Sequence, residues 1–524
     1  IVGPTLGAQS IQAGFMSCIV AFIVLMLYMV AMYGVREGMV ANCALILNFF
    51  FSFGILTSLG AALTMSGIAG MVLTLGMAVD ANVLIYERTK EEMRSGKNLN
   101  AAVAAGYSNA FSAIFDSNVT TIITGIILYN FGTGPIKGFA TTLIIGIVCS
   151  FFTAVWLTRI AYEHFLNKGK WQDLKFTTAL SKNMLKDTKY KFMSYYKKSF
   201  LVFGAFLVVA LVSFAVRGLS QSIDFTGGRN YKVEFLNPVE PEAVKAAIVK
   251  QFDANNKDEE AINVTVISIG TGGNNVRVST NFAINDNSPE ADARIESLLY
   301  QAFVDGGMVD ASVSEEAFLD RDDRAGGSIV SSQKVGPAIA EDITYGAILS
   351  VIFAIAAIFV YILIRFRNVA YSVGSIAALT LDTIFVIGMF SLCYGWIGFS
   401  LEVDQTFIGA ILTVIGYSIN DKVVVFDRIR ETFGRYPKRD RQRIFNDSLN
   451  CTLTRTINTS VSTFIVLLAI FILGGDSIRA FAFAMILGVI FGTSSSIFIA
   501  APIAYLVMGA RIKEDDEEPA PAKA

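Results

Sequence analysis

One histidine, His164, stands in 524 residues, so imidazole chemistry is almost absent and any proton relay must use carboxylates. The five cysteines, Cys18, Cys43, Cys149, Cys393 and Cys451, sit in or beside apolar runs without CxxC spacing. That argues against a disulfide scaffold and against a zinc site. No GxxxxGK[ST] run and no Ser-His-Asp constellation is present, so neither an ATPase nor a triad hydrolase is expected. Charge is also scarce: 16% of residues, against about 25% in ordinary soluble proteins. The formal net charge of -2 makes no case for a nucleic-acid binder.

What fills the chain is apolar: 53% hydrophobic residues and a mean hydropathy of +0.55. A helix needs about 20 mostly apolar residues to cross a bilayer. Eleven stretches qualify: 11–33, 39–61, 67–86, 117–132, 139–162, 199–217, 343–364, 369–394, 405–426, 456–473 and 480–508. The reading is a polytopic α-helical membrane protein, since lipid offers an unpaired backbone no partner. Segment 164–198 is a basic linker, and 427–455 is also rich in arginine. Both fall on the cytoplasmic side under the positive-inside rule. Residues 218–342, with 10 Lys/Arg and 21 Asp/Glu, then fall outside. Segments 88–115 and 428–453 read as amphipathic helices on the cytoplasmic surface, and 511–524 as a disordered cytoplasmic tail.

The spans repeat. Residues 68–88 align with 408–428, with Gly76 on Gly416, Val83 on Val423 and Arg88 on Arg428. Further on, Asn118 meets Asn458, Phe139 meets Phe481 and Gly146 meets Gly488. Corresponding spans run the same way, which makes the repeat parallel and gives two pseudo-symmetric halves. The first comprises residues 1–163; the second comprises 199–217 and 343–510. The second half has a span and a soluble domain that the first lacks, so a first span and a first extracytoplasmic domain are expected upstream.

Within 218–342, Arg229–Leu236 alternates as a strand and Pro241 opens a helix to about Phe252. Val264–Ile269 and Val276–Phe282 form a hairpin around the glycine-rich turn at 270–275, a helix fits 289–304, and a last strand fits 307–315. That order suggests a small α+β, ferredoxin-like domain.

Ionisable residues inside spans are expensive and are functional candidates. Asp80 and Asp421 lie in corresponding spans but one residue out of register, so that Asp80 aligns with Asn420. Arg455 stands where its own span begins. Both aspartates are expected to face the seam between the halves, where a carboxylate near an arginine could load and release a proton; a fixed Asp–Arg pair bracing helices is the plainer alternative. Lys422 either snorkels to the cytoplasmic interface or neutralises Asp421. Asp382 is either a third relay group or is satisfied by hydroxyls. Asn82 and Asn420 are supporting polar groups, and Thr120 and Ser460 read as helix-packing hydrogen bonders. Glu87-Arg88 and Asp427-Arg428 read as interfacial anchors.

Gly76-Met77-Ala78-Val79-Asp80-Ala81-Asn82-Val83 resembles a SecD signature. Asp224-Phe225-Thr226-Gly227-Gly228 and Gly416-Tyr417-Ser418-Ile419-Asn420-Asp421 resemble SecF motifs. In this order the chain resembles the fused bacterial SecD/SecF family, of the RND-like superfamily. The resemblance implies a multi-pass protein of the bacterial inner membrane with its soluble domain on the periplasmic side. It implies an accessory subunit, not an enzyme and without cofactor, that uses the proton-motive force in late preprotein translocation beside SecYEG, SecA and YajC-like subunits. Asp80, Asp421 and Arg455 would be the proton-pathway residues; Na⁺ in place of H⁺ is open. Lys422 departs from the small polar residue expected there. The competing expectation is a proton-driven exporter of small molecules or lipids.

Overall fold

The computed structural model describes residues 4–61, 64–132, 134–182, 188–256, 262–269, 273–286, 288–320, 327–397 and 399–509. Eleven helical segments among them are long and apolar enough to cross a membrane, as expected. The first half contains α1 (Pro4–Tyr33), α2 (Val35–Ser58), α3 (Met65–Arg94), α4 (Leu99–Phe131) and α5 (Gly134–Phe151). The last of these runs through a π-helical turn (Phe152–Leu157) into α6 (Thr158–Asn167). After the linker, α7 (Tyr196–Arg217) leads to a sheet domain. The second half then repeats the plan with α12 (Pro337–Phe366), α13 (Val369–Cys393), α14 (Gln405–Arg435), α15 (Arg441–Leu473) and α16 (Asp476–Ser495). Its last span also passes through a π-helical turn (Ser496–Ala500), into α17 (Ala501–Met508).

The expected surface helices at 88–115 and 428–453 do not exist as separate elements. α3 continues through Arg94, the chain turns at Ser95–Asn98 with Gly96 at φ +93°, and α4 runs unbroken to Phe131. Side-chain oxygens of Asn98, Asp404 and Asp440 cap the starts of α4, α14 and α15, taking up free N–H groups. The polar stretches are therefore extensions of the spans, kept helical by caps and by ion pairs between neighbouring helices.

The two halves embrace. α3 and α14 are almost wholly enclosed, whereas α7 is largely exposed on the outside. α3 packs on α15 of the other half, with Gly76 against Thr463, and α14 packs on α4, with Gly416 against Thr124. The repeat mates Phe139 and Phe481 touch edge to face, ring centres 5.3 Å apart, so the pseudo-twofold axis passes between them.

The sheet domain comprises α8 (Ile223–Thr226), β1 (Gly228–Glu234), α9 (Pro241–Asn255), β2 (Val264–Ile269), β3 (Asn275–Thr280), α10 (Pro289–Asp305), α11 (Glu315–Leu319) and β4 (Ser328–Val335). Its strands are antiparallel in the order β2-β3-β1-β4. The strand expected at 307–315 is instead turns leading into α11. The last strand is 328–335, whose Ser331-Ser332-Gln333-Lys334 lacks an apolar alternation and is held by pairing with β1. The expected turn at 270–275 falls partly outside the described residues. Gly228 has φ +127°, and a Cβ there would lie 2.5 Å from the Thr280 carbonyl oxygen. Only glycine lets β1 start so close to β3.

The domain is fastened to the start of α14. Val403 N–H donates to the Ser220 carbonyl at 2.7 Å, and Ser222 N–H donates back to the Val403 carbonyl at 3.0 Å. Arg277 pairs with Glu402 at 2.7 Å, and Gln405 N–H donates to the Asp224 carboxylate at 3.3 Å.

Candidate functional site

Asp80 sits in the middle of α3, and Asp421 in the middle of α14, the two most fully enclosed spans. Asp80 is buried, and neither carboxylate oxygen has a hydrogen-bond partner among the described residues. It lines a small cavity of about 20 Å³ with Asn118, Thr121, Tyr417, Asn420 and Arg455, drawn from both halves. That is room for about one water molecule. Asp421 is buried too, but partnered: Arg455 Nη1 donates to its Oδ1 at 3.2 Å, and Thr493 donates to Oδ2 at 3.5 Å. Arg455 Nη2 reaches Asn420 Oδ1 at 3.4 Å. The structure thus brings Asp80, Arg455 and Asn420 around one cavity, and joins Asp421 to it through Arg455.

Lys422 follows neither expectation. It is fully buried and turns away from Asp421 to pair with Asp382 Oδ2 at 2.9 Å. Its ammonium also donates to Ser495 Oγ at 3.1 Å and to the Ser418 carbonyl at 3.3 Å. Successive residues on a helix point about 100° apart, which sends Asp421 to α15 and Lys422 to α13. Asp382 is accordingly held by an ammonium as well as by the hydroxyls of Ser418 and Ser495. Ser460 shares a 2.6 Å hydrogen bond with Thr493 and so extends the Asp421 chain by one hydroxyl. Among the described residues, the Thr120 side chain bonds only to the Ser117 carbonyl of its own helix. Asn82 is buried, with its side-chain oxygen unpartnered among the described residues.

The residues read as interfacial anchors bind protein. Glu87 accepts from Lys90 at 2.7 Å, Tyr33 at 3.2 Å and Asn458 at 3.4 Å. Arg88 reaches Glu431 at 3.2 Å, and its repeat mate Arg428 reaches Glu91, the mate of Glu431. The four residues form a square of charges across the axis at the basic end. Asp427 pairs with Arg430 at 2.6 Å. Beside the square opens a cavity of about 610 Å³. Leu84 and Arg455 line both this cavity and the small one, so they form the wall between them. Sequence reading missed Asp116, which lies buried in α4 and takes a 2.7 Å pair from Arg365 across the halves. It was overlooked because α4 was split at residue 116. Glu91 and Glu431 carried a usable signal, since they occupy equivalent repeat positions.

A family model described as protein export membrane protein SecD/SecF, C-terminal, matches residues 1–165 and 317–510, and a SecD/SecF GG motif model matches 212–239. The protein translocase subunit SecDF of Bacillus subtilis is 33% identical over 99% of this chain and 67% of that protein. The crystal structure of SecDF from Thermus thermophilus, described as a translocon-associated membrane protein, is 32% identical and superposes with a TM-score of 0.81. That match covers 97% of this chain and 63% of the other. A SecDF structure in a super-membrane-facing form superposes less closely, at a TM-score of 0.70, over 96% of this chain and 62% of that one. The chain therefore belongs to the SecD/SecF protein-export family, and it spans about two thirds of the length of the relatives it matches.

Proposed function

With membership of that family as the premise, we propose that this chain is the membrane motor of an accessory translocase subunit. Protons passing the seam between its halves move the sheet domain and so drive late steps of preprotein translocation across the bacterial inner membrane. The sheet domain then lies on the periplasmic face and the basic end in the cytoplasm, in keeping with the excess of Lys and Arg there. Its partners are the Sec translocon SecYEG, SecA, YajC-like subunits and the unfolded preprotein. The work is transport, with no cofactor, and H⁺ is the ion.

The observation that carries this reading is the buried Asp80, without a hydrogen-bond partner among the described residues, beside the Asp421–Arg455 pair. An uncompensated charge buried in this way is costly, and a proton removes the cost. Arg455 lies in the wall toward the basic end, so a small swing of its side chain alters which carboxylate it compensates. Asp421 sits on α14, whose first turn is bonded to the sheet domain through Gln405 and Asp224. A shift of α14 therefore pulls on that domain directly. Each proton crossing supplies about 2.3 kcal/mol per 100 mV.

The test is export of a secreted reporter by the full-length protein carrying Asp80→Asn or Asp421→Asn. Export is expected to fall about tenfold or more at equal protein level. Unchanged export in both variants would refute the reading.

A further inference from the structure

Besides the offset aspartates, the two halves differ at a further buried position pair. Counted from the helix starts, Val35 with Val369 and Met65 with Gln405, Asn48 is the counterpart of Asp382 and Asn82 the counterpart of Lys422. The first half holds two buried carboxamides where the second holds a carboxylate and an ammonium. Asn48 Oδ1 accepts from Ser52 at 3.1 Å, a purely local bond. In the second half, Asp382 Oδ2 receives Lys422, Ser418 and Ser495 together, while Oδ1 has no partner among the described residues.

Counting charge gives this difference a consequence. Five ionisable side chains are buried around the seam: carboxylates Asp80, Asp382 and Asp421, cations Lys422 and Arg455. Fully ionised they carry one net negative charge. Other charges packed nearby are themselves paired: Glu87 with Lys90, Asp116 with Arg365, Asp427 with Arg430, Arg88 with Glu431 and Arg428 with Glu91. Tyr28 and Tyr417 are the phenols facing the group. α16 carries charge only at Asp476 and Arg479, far from Ser495. Lys422 and Asp421 are adjacent and feel each other's charge.

We infer that the Asp382–Lys422 pair is a positioning element for the proton chemistry: it cancels the Lys422 charge so that the seam is left with one carboxylate in excess and takes up one proton, on Asp80. This rests on the proton reading above. Without Asp382, the ammonium, still held by Ser418 and Ser495, compensates the aspartates and no proton is called for. Without Lys422, two are called for. With both replaced by the first half's asparagines, the excess returns to one.

The measurement is infrared difference spectroscopy on purified full-length protein at neutral pH, reading the carbonyl band of protonated carboxyl groups, which carboxylates lack. Wild type is expected to show a band that Asp80→Asn removes. Asp382→Asn should remove the same band with Asp80 intact, Lys422→Asn should add a second one, and Asp382→Asn/Lys422→Asn should restore the wild-type spectrum. Export should follow, falling about tenfold or more in either single variant and recovering in the double. If Asp80→Asn leaves the spectrum unchanged, the proton reading itself fails. If Asp80→Asn removes the band but Asp382→Asn does not, or if the double variant stays unlike wild type, only the inference about the pair is overturned. Should Asp382→Asn not fold, the second band in Lys422→Asn and the restored spectrum of the double variant decide alone.

Discussion

The first half of this membrane bundle and the second are built to one plan and loaded differently. Both enclose a central helix, α3 or α14, and both bend their last span through a π-helical turn. Both keep an aromatic pair at the same repeat positions, Tyr33 on Tyr86 and Phe366 on Phe426. In the first half that pair carries hydroxyls, one bonded to Glu87 and the other to the Glu37 carbonyl. In the second it is bare, and the charges sit deeper, in Asp382–Lys422 and Asp421–Arg455. Asp80 is the exception, a carboxylate of the first half whose cavity neighbour Arg455 belongs to the second. Duplication therefore supplied the frame. The asymmetric substitutions supply what a symmetric frame lacks, a single carboxylate without a cation of its own.

The sharpest break in that comparison is energetic. Asp421→Asn strands Arg455 in the interior and is expected to cost about 3 kcal/mol of stability. Asp80→Asn breaks no ion pair among the described residues and should stay within about 1 kcal/mol, although both are expected to lower export. Thermal unfolding in detergent separates them; equal losses would mean that Asp80 has a partner of its own.

Packing at the crossed glycines gives the next difference. A Cβ on Gly416 would meet Thr124 Oγ1 at 2.5 Å, whereas one on Gly76 would meet Thr463 at an ordinary 3.5 Å. Gly416→Ala should destabilise by about 1–3 kcal/mol. Gly76→Ala should be neutral or gain a few tenths of a kcal/mol in helix propensity. The same unfolding curves check this.

The smallest effect contrasts two carboxyls of the sheet domain, Asp224 at the joint and Asp292 on α10. Burial raises the Asp224 carboxyl above its usual range, and Asp404 beside it adds to the shift. A carboxyl raised in the folded state makes stability fall as pH climbs from the ordinary carboxylate range through the raised value. Partial desolvation works upward on Asp292 as well, but hydrogen bonds from Arg229 and Lys334 outweigh it and hold that carboxyl low. Its contribution is present above the ordinary carboxylate range and is lost as pH falls through the lowered value. Limited proteolysis at the joint across mildly acidic pH should show the Asp224 trend, and Asp224→Asn should flatten it.

Much of this was legible in the chain. Spans announce themselves because lipid demands long apolar helices, and Asp80, Asp421 and Arg455 stand out because charge inside such helices is rare. The repeat could be read residue by residue. What sequence did not disclose was partnership. Lys422 lies next to Asp421 in the chain and pairs with Asp382 on another helix, a choice made by helix rotation and not by adjacency. The polar ends of α3, α4, α14 and α15 looked like surface helices because nothing local reveals that Arg88 and Arg428 would meet Glu431 and Glu91 across the axis. β4 was misplaced for a related reason, since its polar residues are ordered by β1 and not by an apolar alternation of their own.

The central claim is that Asp80 carries the transported proton. Full-length protein reconstituted in liposomes with an internal pH dye tests it most directly, under an imposed proton gradient and potential. The account predicts proton influx in the wild type and none above protein-free liposomes with Asp80→Asn. Influx of equal rate in the two would contradict it.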